Sequence, residues 1–209
     1  MDYSQYKQLE FRRKFWNWFG PVIHISTPTG EPVGYIKMAA LKLRGDIRIY
    51  RDETKQQELF RIGGRQIISL KPVFDIFASD TDQKLFALRR LSLKSAFVRD
   101  HWELLDNNGN VFGEILETSS NLALARRWLE LLPFGEIIGL IFAFVPQTYT
   151  ITARDQAGQS QLIGNIVHRK NPIIVKMGLD TSAAQMTVDP RVCVSSAALL
   201  SILDASKNS

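Results

Sequence analysis

Cysteine occurs once in these 209 residues, as Cys193. One thiol excludes an intrachain disulfide framework and any cysteine-built metal site. Histidine is scarce too. His24, His101 and His168 stand at no metal-ligand spacing, and no H-E-x-x-H occurs. Long apolar runs are missing: the longest, 137–145, has nine residues, about half of what a bilayer-spanning helix needs. Charge of one sign does not dominate. Lys and Arg number 26 against 21 Asp and Glu, a net +5 that tolerates an anionic partner without demanding one. The first twenty residues place Asp2 and Glu10 where a secretory leader would be basic and then apolar. The expectation is a chain without such a leader, cytoplasmic or peripheral to a membrane.

What is present is a succession of short apolar runs broken by polar turns. Runs at 22–26 and 33–38 flank Thr27-Pro28-Thr29-Gly30-Glu31, and runs at 47–50 and 58–62 flank 51–57. Further pairs flank 79–83, 106–109 and 155–158. Asp, Asn and Gly accept the left-handed backbone or bond their own main chain, so each unit reads as a β-hairpin. Asp52, Asp80 and Asp106 recur 28 and 26 residues apart, and Asp155 follows after 49. The long gap is one period plus an insertion of about 23 residues within 119–145. With runs at 173–179 and 185–188 the count reaches about twelve strands, too many for a flat sheet and suited to a closed antiparallel barrel.

Two helices are predicted around this β framework. Leu122, Ala125, Leu129 and Leu132 fall at helical spacing in the insertion, ahead of Pro133. At the C-terminal side, Asp189 suits a cap and Pro190 the first helical position. Residues 190–205 then carry no charge between Arg191 and Asp204. A helix apolar or small on every side is a buried one, and a twelve-stranded barrel is wide enough to need filling. A third helix is read over residues 1–20, because Phe11, Phe15, Trp18 and Phe19 fall at i, i+4, i+7 and i+8 beside Arg12, Arg13 and Lys14. Phe15, Trp16, Trp18 and Phe19 become candidate membrane-interface residues. The organisation is thus an N-terminal aromatic and basic helix over 1–20 and one barrel domain over 21–209, with a helical insertion at 119–145 and a central helix at 190–205.

The order of "VGYIKM", "LFRIGGR", "LFALRRLSL", "VFGEI" and "LIGNIVHRKNP", ending in "MTVDPRVCVSSAALLSILDA", resembles the tubby C-terminal-like superfamily. The branch it is most similar to is that of the phospholipid scramblase and LURP-one-related proteins. The resemblance implies a twelve-stranded barrel around a C-terminal helix. It also implies phospholipid binding, since tubby domains bind phosphoinositides and scramblases are associated with calcium-dependent lipid movement. The acidic calcium segment of scramblases is reduced here to Asp180 and Asp189, and their cysteine cluster and Pro-rich tail are absent.

Catalytic spacing is not found. The carboxylates sit mainly in turns, where they serve the backbone; Asp80-Thr81-Asp82 lacks the rest of a calcium loop; Gly63-Gly64 is a turn signal; and Cys193 reads as an inert core thiol. No enzyme, cofactor or metal is expected. The basic residues say more. In an up-and-down barrel the hairpin turns share one rim and the longer connections the other. The connection rim collects Arg61, Arg65, Arg89, Arg90, Arg169 and Lys170, the candidate headgroup-binding residues. The partner expected is anionic phospholipid or a membrane surface, not nucleic acid. The alternative is a soluble interaction module that takes a protein partner through 119–145.

Overall fold

The computed structural model describes residues 3–14, 22–37, 47–65, 71–91, 100–118, 146–169, 175–185 and 188–207. A 3-10 turn at Tyr3–Gln5 precedes twelve strands: β1 Gln8–Lys14, β2 Val22–Ser26, β3 Pro32–Lys37, β4 Ile47–Tyr50, β5 Glu58–Arg65, β6 Val73–Ala78, β7 Lys84–Arg90, β8 His101–Leu105, β9 Val111–Glu117, β10 Gln147–Arg154, β11 Ser160–Arg169 and β12 Val175–Asp180. Among the described residues one α-helix, α1, spans Pro190–Lys207. The strands form a closed barrel in chain order, and β1 closes it by pairing antiparallel with both β12 and β2. The insertion 119–145, expected to be helical, lies outside the described residues.

Five hairpins share one turn. In Thr27–Gly30, Asp52–Lys55, Ser79–Asp82, Asp106–Gly109 and Asp155–Gly158 the fourth residue is left-handed, with φ of 93°, 57°, 51°, 86° and 79°. Where the first residue is Asp106 or Asp155, its Oδ1 accepts two backbone N–H groups beyond it: Asn108 and Asn110, each at 2.8 Å, or Ala157 and Gln159 at 2.9 and 2.8 Å. Hydrogen bonds from Asn110 hold the exposed Asp106 carboxyl below its ordinary pKa. Ser79, not Asp80, occupies the opening position of the third turn. The repeat survives that shift because the left-handed fourth residue defines it.

The inward faces alternate as a half-buried strand requires. Ile23 and Ile25, Phe60 and Ile62, Phe74 and Ile76, and Trp102 and Leu104 are all buried. With the helix they form one core. Helix α1 is buried from Val192 through Ile202 without interruption, so the barrel surrounds it on every side, and Ala197 and Ala198 let the wall approach closely. Two of its serines satisfy themselves: Ser195 Oγ donates to Arg191 O at 2.6 Å and Ser201 Oγ to Ala197 O at 2.8 Å. Asp189 caps the helix by accepting from Arg191 N at 2.9 Å. No helix among the described residues is long and apolar enough to cross a membrane.

Two expectations are corrected. Residues 8–14 are strand, not part of a helix: Leu9 and Phe11, each 1% exposed, and Arg13 point inward with period two. The buried Arg13 conceals that alternation from hydrophobicity alone. Residues 15–20 lie outside the described residues. The twelfth described strand is β1; of the run expected at 185–188, Gln185 and Val188 lie in no strand, Gln185 N donating to Leu162 O at 2.8 Å, and 186–187 lie outside the described residues. Without β1 the sheet would keep two open edges.

Two outcomes follow. Ala198→Glu puts a charge at a position with 0% exposure; it is expected to destabilise by about 4 kcal/mol or more and abolish the soluble fold. A monodisperse variant with native circular dichroism would contradict the central placement of α1. Lys55→Gly relieves a left-handed non-glycine residue at φ 57° and is expected to raise stability by about 0.5–1 kcal/mol in urea unfolding.

Candidate functional site

The hairpin turns gather at one end of the barrel, with the 3-10 turn and the start of α1; the C-terminal end of α1 and the strand ends that lead into the connections lie at the other. At that connection end the wall carries charge on both faces, and register decides which residue faces which way.

Inside, the last turn of α1 meets a polar cluster. His168, 1% exposed, has Nε2 3.4 Å from Asp204 Oδ2. Burial holds the Arg13 guanidinium below its ordinary pKa, and the Asp204 carboxylate opposes that shift. Glu117 accepts from Asp100 N at 3.2 Å. The buried Tyr149 hydroxyl is raised, first by burial and then by Asp100 and Glu117. A cavity of about 20 Å³ between Arg90, Tyr149, His168 and Asp204 has room for about one water. Arg13, Arg90, Asp100, Glu117, His168 and Asp204 form a polar plug between the core and the rim. It lacks a nucleophile with a paired base, and no group of three metal-ligating side chains occurs among the described residues. Cys193, at the other end of the helix, has its thiol pushed up to about 12 by burial.

Outside, three adjacent strands put cations side by side. Arg169 of β11 is in register with Lys176 of β12, and Lys176 with Arg12 of β1. Their chain neighbours His168, Met177, Phe11 and Arg13 are buried, so alternation turns all three outward. His24 of β2 extends the row beside Arg12, with its Nδ1 3.5 Å from Glu53 Oε1 and its ring edge-on to Tyr35 at 5.4 Å. Arg12 is held by Glu10. Neither Lys176 nor Arg169 has an acidic partner among the described residues.

Of the six expected headgroup residues, the four whose side chains are described, Arg61, Arg89, Arg90 and Arg169, do not share one surface. Arg89 faces out but is held by Glu103 at 2.7 Å. Arg90 shares the inward register of Trp102; it lies over the Trp102 ring at 5.5 Å and bonds Asp100 at 2.9 Å. Arg61 stacks on Phe77 at 4.4 Å and reaches Asp82 in the hairpin turn, away from the connection rim. Of these four, Arg169 joins the outward row. Lys170 lies outside the described residues, as do Phe15, Trp16, Trp18 and Phe19, and Arg65 is described only as the end of β5. Sequence reading missed Arg12 and Lys176. They meet across a seam joining the two ends of the chain, and no local signal marks that.

Residues 33–203 match the sequence model of the LURP-one-related family. The chain belongs to the LURP-one-related family. That family lies in the tubby-like superfamily, and the fold is that of a lipid-binding-type β-barrel domain at family level. Lys176 and Arg169 fall inside the matched LURP-one-related segment; Arg12 precedes it. A solved structure of an Arabidopsis thaliana protein is similar at 10% identity and a TM-score of 0.48, over 94% of this chain and 91% of that one. No curated protein matches significantly.

The polar plug has a measurable consequence. Asp204→Leu removes the carboxylate that offsets the burial of Arg13 and is expected to destabilise by about 3 kcal/mol. Arg13→Met combined with Asp204→Leu should recover more than half of that loss in urea unfolding. An additive double variant would show that the two charges do not act on each other.

Proposed function

We propose that this LURP-one-related barrel is a non-enzymatic, membrane-peripheral domain that binds anionic phospholipid on its outer wall. One observation carries the reading: Arg169, Lys176 and Arg12 stand in register on neighbouring strands, facing out. Like charges directly opposite one another destabilise a sheet, so the row gains when an anionic surface neutralises it. Binding inside the barrel is not part of this reading, because α1 fills the interior. An acidic cytoplasmic leaflet supplies the attraction, on the order of 1 kcal/mol per surface cation. Arg89 and Arg90 contribute less than their position in the sequence suggests, since their guanidinium groups already hold carboxylates.

Co-sedimentation with vesicles tests this. The protein is expected to bind phosphatidylcholine vesicles only when acidic lipid is added, and less as salt rises. Arg169→Glu with Lys176→Glu should weaken binding at least tenfold, on the order of 1 kcal/mol per charge changed. Lys55→Glu with Arg154→Glu, at the hairpin end, should change it little. Equal loss from both pairs would reduce the attraction to diffuse charge, and no binding by the unmodified protein would refute the reading.

A further inference from the structure

The outward row is more specific than a basic patch. We propose that Arg12, Lys176 and Arg169 form a binding site for a phosphate monoester, with Glu10 as its internal competitor. This deepens the anionic-phospholipid reading and rests on it for the membrane as the ligand's source.

Three observations carry the site. The first is spacing. Neighbouring strands lie about 4.8 Å apart, so three residues in register on three strands can bring long side chains onto one anion. The second is how Arg12 is engaged. Its Nε and Nη2 both donate to the same oxygen, Glu10 Oε2, at 2.8 and 2.5 Å. A guanidinium fork is best matched by two oxygens, one per donor, and a phosphate presents them. Glu10 lies two residues along β1 on the same face, so it competes for Arg12 without blocking Lys176 or Arg169. The third is room. The next outward row is Val167, Gly178 and Glu10. Gly178 carries no side chain, and a Cβ built there would meet nothing closer than Val167 O at 3.9 Å. The wall therefore has a shallow notch beside Lys176.

Charge selects the ligand class. Three cations against one carboxylate leave two positive charges. A phosphate monoester carries roughly −1.5 to −2 at neutral pH, which balances them; a phosphodiester carries one negative charge and leaves the row undercompensated. The membrane form of such a ligand is a lipid with a terminal phosphate, and the soluble form is a small phosphate ester.

The test uses the full chain, vesicles containing either phosphatidic acid or phosphatidylglycerol, and glycerol phosphate titrated in solution by NMR. Phosphatidic acid is expected to be favoured. Glu10→Gln should tighten it about three- to fivefold by releasing the Arg12 fork. Arg12→Gln and Lys176→Gln should each weaken it about fivefold, while Arg48→Gln, whose partner Glu58 lies across the β4–β5 pair, should leave it unchanged. Thermal melts check that each variant folds. Equal binding of both lipids with no response to Glu10→Gln overturns the site and leaves the general surface reading standing. Binding of glycerol phosphate that Glu10→Gln tightens, with no vesicle binding, keeps the site and overturns the membrane reading. No binding of any probe overturns both.

Discussion

A closed barrel of twelve strands encloses more space than its own side chains can fill, and the remaining volume must be occupied by protein. Helix α1 meets that demand, and much of the molecule follows from it. The helix needs residues small enough to let the wall approach, hence Ser195, Ser196, Ala197 and Ala198 in succession. Of its buried hydroxyls, Ser195 and Ser201 donate to carbonyls one turn back, while Ser196 Oγ has no hydrogen-bond partner among the described residues. Its start must be capped at the hairpin end, which Asp189 does. Its far end must leave the core through charged groups, and Asp204 meets Arg13 and His168 there.

The same demand directs function outward. A barrel filled by its own helix offers the interior to no large ligand, so recognition falls to the wall and the rims. At the connection end a single register step separates two roles. Arg13 faces in and belongs to the plug; Arg12 faces out and belongs to the cation row. Arg90 and Arg89 divide in the same way, one over Trp102 and the other on Glu103. Adjacent basic residues in a strand therefore never act together on one surface, and a pair such as Arg89-Arg90 counts once toward any outer site.

The LURP-one-related barrel also explains how both ends of the chain come to share a site. Strand β1 is the first and β12 the last, and the sheet closes only where they pair. Closure removes the open edges that would invite aggregation. It also sets Arg12 beside Lys176, 164 positions away in the chain. The electrostatic character of that wall is thus a by-product of the bond pattern that completes the barrel.

The hairpin repeat, eleven of the twelve described strands, the capped and buried C-terminal helix and the inert thiol were legible in the residues, because each depends on local chemistry. Turn residues bond within four positions, strand alternation has period two, and an uncharged helix of small and apolar residues has one stable place to be. The first strand was not legible, because a buried arginine broke its apolar alternation and the aromatics beyond it supplied a helical period. The cation row was not legible either. Whether a cation is solvated, paired or turned inward depends on cross-strand register and on partners such as Glu103, Asp100 and Asp82, each supplied by another segment of the chain. Sequence alone determined the β-barrel class and its filling; only tertiary pairing decided which charges face the same way, since β1 and β12 are joined by no hairpin turn and their register is fixed only when the barrel closes.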